Sequence, residues 1–399
     1  MSLNPTPVQT ENPRPTDLQV HVASPARHRF LFLDALRGVA ALFIVTWHLP
    51  GQLLPSILSP TTGGNQWLAV DFFFCLSGFV VAFSYEKRLA EGFSMRDFIA
   101  ARLIRLYPVY LIGMVLGVLV EIVIQHTVRR PGSSIPSLLG LFAISLFMLP
   151  TPLAGISGLA TFPLDTPAWS LFLEIIANLV YARMVKWRIA NNAILALLSV
   201  VAFAILLALV LRGGSLDVGY ADANFGLGFA RIAYSFSAGI LLFRLYRDRA
   251  HSLAASTQSG TWIAILLILL LVILLLGSWE FMRSELVRLF IVALCFPAIV
   301  FFGAYIRIPH SLTRLCTVLG ELSYPFYLLH KPIISLLFAR RFITIAVAHP
   351  TLKAIGLPLL VAILARAAWW VGERVDLPIR RRLALRYNIL TRGPAARSS

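Results

Sequence analysis

Charge is scarce in this chain, and acid is scarcer than base: 13% of its 399 residues are Asp, Glu, Lys or Arg, with 18 acids against 35 bases. With 58% of residues hydrophobic and a mean hydropathy of +0.80, so little charge excludes a soluble domain of any size and leaves a polytopic helical membrane protein. Cysteine is nearly absent. Cys75, Cys295 and Cys316 are odd in number, scattered and set in or beside apolar runs, which excludes a disulfide framework and suits small apolar packing residues. No pair among the eight histidines has metal-ligand spacing with a carboxylate partner, so no metal is expected. A cleavable signal peptide is lacking, and no internal repeat relates the two halves. The formal net charge of +17 does not indicate nucleic acid, because Lys and Arg sit in short clusters between apolar runs, where membrane topology puts them.

What is abundant is long apolar runs. Candidate spans fall at 30–49, 67–85, 104–124, 168–186, 191–211, 225–245, 260–278, 286–306, 318–345 and 352–372, each long enough for a hydrocarbon core of about 30 Å. The expected fold is all-α, a polytopic bundle of about ten transmembrane helices in the lipid bilayer. A further apolar piece at 137–153 is short for a span and closes on Pro150 and Pro152. Charge arbitrates here. If that piece does not cross, ARHR, the stretch from Glu86 to Arg105, RMVKWR, FRLYRDR, YIRIPHSLTR and IRRRLALR all face the cytoplasm, and QHTVRRPGSS is the one basic loop outside. Segment 137–153 therefore reads as re-entrant or interfacial, with both termini cytoplasmic. Residues 1–29, polar and Pro-rich, read as a disordered cytoplasmic tail, 30–385 as the membrane domain and 386–399 as a basic cytoplasmic tail.

Ionisable side chains inside such runs are costly and mark function by default. LFLDALRGVAALFIVTWHLP carries Asp34, Arg37 and His48. The step from Arg37 to His48 makes about three helical turns, which puts both on nearly the same face roughly 16 Å apart. Arg102 and Arg105 join Arg37 at the cytoplasmic ends of their spans. Towards the outer side, PAWSLFLE brings Trp169, Ser170 and Glu174 to a level similar to that of His48, with Ser170 and Glu174 on one face. LSYPFYLLHKP aligns Ser323, Tyr327 and His330 in the same way. Polar groups from several helices can thus line one continuous path.

Six segments, LDALRGVAALFIVTWH, FFFCLSGFVV, RLIRLYPVY, PAWSLFLE, LSYPFYLLHKP and GERVDLPIRRRL, occur in this order from about residue 30 to 385. In them the chain resembles the acyltransferase-3 family of integral membrane acyltransferases. The most specific element is the Arg followed by ten residues and a His, here Arg37 to His48. The resemblance implies transfer of an acyl group, commonly acetyl, from cytoplasmic acyl-coenzyme A to a hydroxyl of a surface glycan or other small molecule. It also implies a bacterial inner membrane location and, since the chain stops soon after the last motif, the form without an extracytoplasmic hydrolase-like domain.

That chemistry distributes roles. A hydroxyl needs a positioned base, worth typically 10²–10⁴-fold, and His48 is the candidate, with Glu174 as its orienting or proton-relaying partner. Arg37 offers a permanently charged planar fork to phosphate or a developing oxyanion, with Asp34 one turn earlier to orient it. Arg102 and Arg105 would hold the remaining coenzyme A phosphates at the cytoplasmic mouth, and the gap to His48 matches the reach of a pantetheine arm. Structural readings stand beside these. His48 can be an interfacial histidine, and Arg102 and Arg105 can be topological anchors. Trp169 is an interfacial anchor or a substrate platform. His330 and Tyr327 either hydrogen-bond across helices or line the substrate, and Asp71 is a helix N-cap or a proton-relay partner. Ser77 and Gly78 read as close-packing residues, and Glu373 and Arg374 as a cytoplasmic anchor first and a coenzyme contact second. The rival function is a transporter or flippase. The missing repeat and the acyl-transfer set of groups speak against it.

Overall fold

A computed structural model describes residues 30–49, 64–128, 134–151, 160–253, 260–277, 279–339 and 350–387. The chain divides into Met1–Phe30 and Leu31–Ser399. Of the first unit only Phe30 is described, so the expected tail at 1–29 lies outside the described residues, as does most of 386–399.

Among the described residues the second unit contains helices and turns and no strand. The chain is an all-α polytopic membrane protein. Its helices are α1 (Leu31–His48), α2 (Ala69–Ala90), α3 (Met95–Val128), α4 (Ile135–Leu146), α5 (Ala168–Lys186), α6 (Asn192–Leu211), α7 (Phe225–Leu253) and α8 (Gly260–Leu276). There follow α9 (Glu285–Phe290) and α10 (Phe296–Gly303), joined by a π-helical turn over Ile291–Cys295, then α11 (His310–Ala339). Last come α12 (Pro350–Val371), a π-helical turn over Gly372–Asp376, and α13 (Leu377–Arg386). Among the described residues, seven helical stretches are long and apolar enough to cross a membrane: Leu31–His48, Gln66–Ala90, Met95–His126, Ala168–Lys186, Asn192–Leu211, Asp222–Arg249 and Glu285–Gly303. The other three expected spans fall on α8, α11 and α12, the first of these a 17-residue apolar helix.

Side-chain registers give the helix directions. Asp34 and Arg37 of α1 meet Gly320 and Ser323 of α11, and further along His48 meets His330, so α1 and α11 are parallel. Asp71, Gly78 and Glu86 of α2 meet Arg231, Phe236 and Arg244 of α7 in the same sense. In contrast, Arg102 of α3 meets Glu174 of α5 while Gly117 meets Leu164 just before α5, so α3 and α5 are antiparallel. That antiparallel register is what two spans separated by a non-crossing α4 must have.

Helix α4 has 12 residues, about 18 Å of rise against the roughly 30 Å a span requires. The last carbonyls of any helix lack intrahelical donors, and inside a bilayer no water supplies them. Here the hydroxyls of Tyr107 and Tyr110 on α3 donate to the carbonyls of Leu146 and Ser145 at 2.8 and 2.7 Å. This ties the α4 C-terminus to the middle of α3. The chain then passes against Gly117, where a Cβ would stand 2.2 Å from the Leu164 carbonyl, so only glycine admits the segment entering α5. The tightest seam is between α2 and α7: a Cβ at Gly78 would lie 2.1 Å from the Phe236 carbonyl oxygen, and one at Gly239 2.0 Å from that of Cys75. Small residues at such crossings let backbones approach and raise dispersion contact where lipid removes the hydrophobic driving force.

Candidate active site

Helices α1, α2, α3, α5 and α11 enclose a cavity with about 840 Å³ of atom-free space, its open mouth included. Its polar lining is Arg37, Ser77, Arg102, Arg105, Ser170, Glu174, Ser323, Tyr324 and Tyr327. The rest is apolar. Each guanidinium is held differently. Arg37 donates from Nε to Ser323 Oγ and from Nη2 to the Gly320 carbonyl, both at 2.9 Å, and pairs with Asp34 at 3.0 Å, one turn earlier on its own helix. Arg102 is buried and spends its charge on Glu174 at 3.0 Å, the same carboxylate that accepts from Ser77 Oγ at 2.6 Å. Arg105 is exposed and makes no hydrogen bond or ion pair among the described residues. One cavity therefore presents two fixed cations and one uncommitted cation, an arrangement that suits a ligand carrying several phosphates.

Tyr327 links this cavity to a second group of residues. Its hydroxyl shares a 2.7 Å hydrogen bond with Ser170, and one turn along α11 its ring faces that of His330 with centroids 6.1 Å apart. His330 is buried and meets His48: Nε2 of His330 lies 3.1 Å from Nδ1 of His48. Carbonyl acceptors assign the tautomers. His48 Nδ1 is 2.9 Å from the Ile44 carbonyl and His330 Nδ1 is 3.1 Å from the Phe326 carbonyl. A carbonyl oxygen only accepts, so in the neutral rings both Nδ1 atoms carry the proton. His330 Nε2 is then a lone pair that accepts from His48 Nδ1–H, and His48 Nε2 is left as a bare lone pair. An imidazole fixed by its Nδ1–H with Nε2 unprotonated has the form of a general base held by an orienting partner.

A model of the acyltransferase-3 family, described as an acyltransferase domain, matches residues 30–371. The chain belongs to this family. One similar protein, protein 2 in the picA locus of Rhizobium radiobacter, is 40% identical over 167 residues, covering 39% of this chain and 82% of that protein. No solved structure matches the chain. The protein is thus a membrane O-acyltransferase.

In this acyltransferase the residues singled out by sequence sort into three places. Arg37, Arg102, Arg105, Ser170, Glu174, Ser323 and Tyr327 line the one cavity. His48 does not: it lies at the far end of α1, paired with His330, which is also outside the lining. Glu174, expected to orient His48, instead faces Arg102 and Ser77, because α5 passes α3 at the level of Arg102. The partner of His48 is His330. Asp34 sits behind the cavity and holds Arg37. Asp71 neither lines the cavity nor caps its helix through its side chain. It forms an ion pair with Arg231 at 2.6 Å, both side chains 2% exposed. Trp169 is no interfacial anchor, being buried edge-on against Phe74, with the Arg231 guanidinium 5.4 Å from its ring centre and 5.3 Å from that of Trp67.

Sequence reading missed Arg231. Arg231 was findable, since it interrupts the apolar run at 225–245 and so needed a buried acid, and Asp71 was on view.

Proposed function

We propose that this acyltransferase moves an acyl group, acetyl being the one commonly carried in the family, from cytoplasmic acyl-coenzyme A to a hydroxyl of an exported or surface carbohydrate. The setting is a bacterial plasma membrane with both termini cytoplasmic, as the placement of the basic clusters favours. Arg105 and Arg37 receive the phosphates of the donor, with Arg102 held beside them by Glu174, and the pantetheine arm runs along the α1–α11 face past Ser323 and Tyr327. His48 Nε2 takes the proton of the acceptor hydroxyl as its oxygen attacks the thioester carbon. The C–S bond then breaks, and the proton passes from the imidazolium to the departing thiolate, giving an ester and free coenzyme A. The observation that carries this reading is the His48–His330 pair, whose carbonyl partners leave Nε2 of His48 unprotonated beyond a cavity lined by three arginines.

The test uses purified protein with acetyl-coenzyme A labelled in the acetyl group and membranes of the expressing cells as the source of acceptor. Thiol release should accompany transfer of label, and His48→Ala should lower kcat by about 10²–10⁴-fold. Arg105→Ala should raise KM for acetyl-coenzyme A more than it changes kcat. Full activity in His48→Ala would remove the base from the scheme, and movement of unmodified substrate without thiol release would favour a transporter.

A further inference from the structure

Arg366 of α12 is an ionisable group within the apolar run 352–372 that neither the arginine cavity nor the histidine pair uses. It is exposed, its guanidinium stands 4.7 Å from the ring centre of Trp369, and it makes no hydrogen bond or ion pair among the described residues. The scarcity of acid is decisive here. Of the 18 acids only Glu11 and Asp17 lie outside the described residues, and none of those within pairs with Arg366. A charge in an apolar stretch is costly without a counter-ion, and such a charge marks function by default. The described chain supplies Arg366 with no anion.

Arg366 is also the charged member of a groove between α3, α11 and α12, with about 1790 Å³ of atom-free space, its open side included. Leu116 and Leu119 of α3, Leu329 and Ile333 of α11, and Ile363 and Trp370 of α12 form its walls. Leu119 and Ile363 are each 55% exposed and Trp370 51%, so the groove opens away from the bundle. It shares no lining residue with the arginine cavity. Helix α3 is long and apolar enough to cross a membrane, and α11 and α12 fall on expected spans, so the opening meets lipid. An empty groove there forfeits dispersion contact, which a hydrocarbon chain restores. Arg366 precedes Gly372 by six residues, roughly 9 Å of helix, and a side chain of that length reaches towards the headgroups. One molecule meets both demands if it carries a phosphate on an acyl chain.

We propose that this groove binds an anionic glycerophospholipid, an acyl chain lying between α3 and α12 and the phosphate held by the Arg366 guanidinium. The planar fork of arginine matches phosphate oxygens, and basic pockets between spanning helices take anionic headgroups. Phosphatidylglycerol fits this chemistry because its headgroup adds no cation of its own. In phosphatidylcholine the choline offsets the phosphate charge.

The experiment titrates the full chain, purified in a neutral detergent, with phosphatidylglycerol or with phosphatidylcholine of the same acyl chains, and counts retained lipid by native mass spectrometry. The wild type should hold phosphatidylglycerol more tightly than phosphatidylcholine. Arg366→Leu should weaken phosphatidylglycerol roughly ten- to a hundredfold, the worth of a hydrogen bond to a charged group, and leave the two lipids alike. Leu116→Trp fills the groove while keeping the charge, and should weaken phosphatidylglycerol as well. Melting temperatures separate a ligand site from a structural arginine. In phosphatidylcholine Arg366→Leu should melt no lower than the wild type, since an unpaired charge has been removed, whereas phosphatidylglycerol should raise the melting temperature of the wild type alone. Equal binding of both lipids by the wild type, undiminished phosphatidylglycerol affinity in either variant, or a lower melting temperature for Arg366→Leu in phosphatidylcholine would each overturn the proposal. The wild-type comparison is decisive even where a variant does not accumulate. None of these readouts uses acyl transfer, so failure here is distinct from failure of the proposed function.

Discussion

Replacing His330 separates two meanings of the histidine pair. His48 Nδ1–H has two acceptors, the Ile44 carbonyl at 2.9 Å and His330 Nε2 at 3.1 Å. His330→Leu removes the second and leaves the first, which by itself still selects the tautomer with Nε2 bare. The loss is then that of one neutral hydrogen bond, about 0.5–1.5 kcal/mol, or roughly two- to thirteenfold in kcat. This is far below the effect of removing His48 itself. His330→Gln places an amide oxygen near the former Nε2 position, and because that oxygen accepts, most of the loss should return. Steady-state thiol release from acetyl-coenzyme A, with kcat and KM separated, reads all three variants, and detergent-solubilised melting temperatures confirm that the buried substitution is tolerated. If His330→Leu were as slow as His48→Ala, His330 would itself be transferring a proton and the tautomer argument would be wrong. If Leu cost nothing and Gln cost more, the pair would be a packing contact only.

Two further expectations concern the scaffold that holds the site. Arg231→Met leaves Asp71 buried without its partner and should lower unfolding free energy by about 3–5 kcal/mol, while Asp71→Leu/Arg231→Met should recover much of it; a wild-type melting curve for the single variant would show that the pair is not desolvated. Gly78→Ala puts a methyl 2.1 Å from the Phe236 carbonyl oxygen and must part α2 from α7. The expected cost is about 1–3 kcal/mol in the same assay, and an unshifted curve would contradict the seam.

Residues on a single helix were legible in advance. Arg37 and Asp34, one turn apart, pair as their spacing implies, and Ser323, Tyr327 and His330 do run along one face of α11 towards the dyad. The short 137–153 piece was also readable, since its length cannot bridge a bilayer and the basic clusters favour a non-crossing segment. Pairings across helices were not. Ser170 and Glu174 share a face of α5 as expected, but which helix passes that face, and at what height, places Glu174 on Arg102 and leaves His48 to a partner in α11.

The sequence by itself therefore determined the membrane class, the helical runs and which polar groups each helix carries, because hydropathy and the 3.6-residue period are local properties of the chain. Tertiary structure alone decided the pairs: His48 with His330, Glu174 with Arg102, and Asp71 with Arg231. The reason is physical. These partners are tens to hundreds of residues apart, and their meeting is fixed by glycine-lined seams and by an α4 whose C-terminus is tied to α3. No periodicity within one helix encodes either feature.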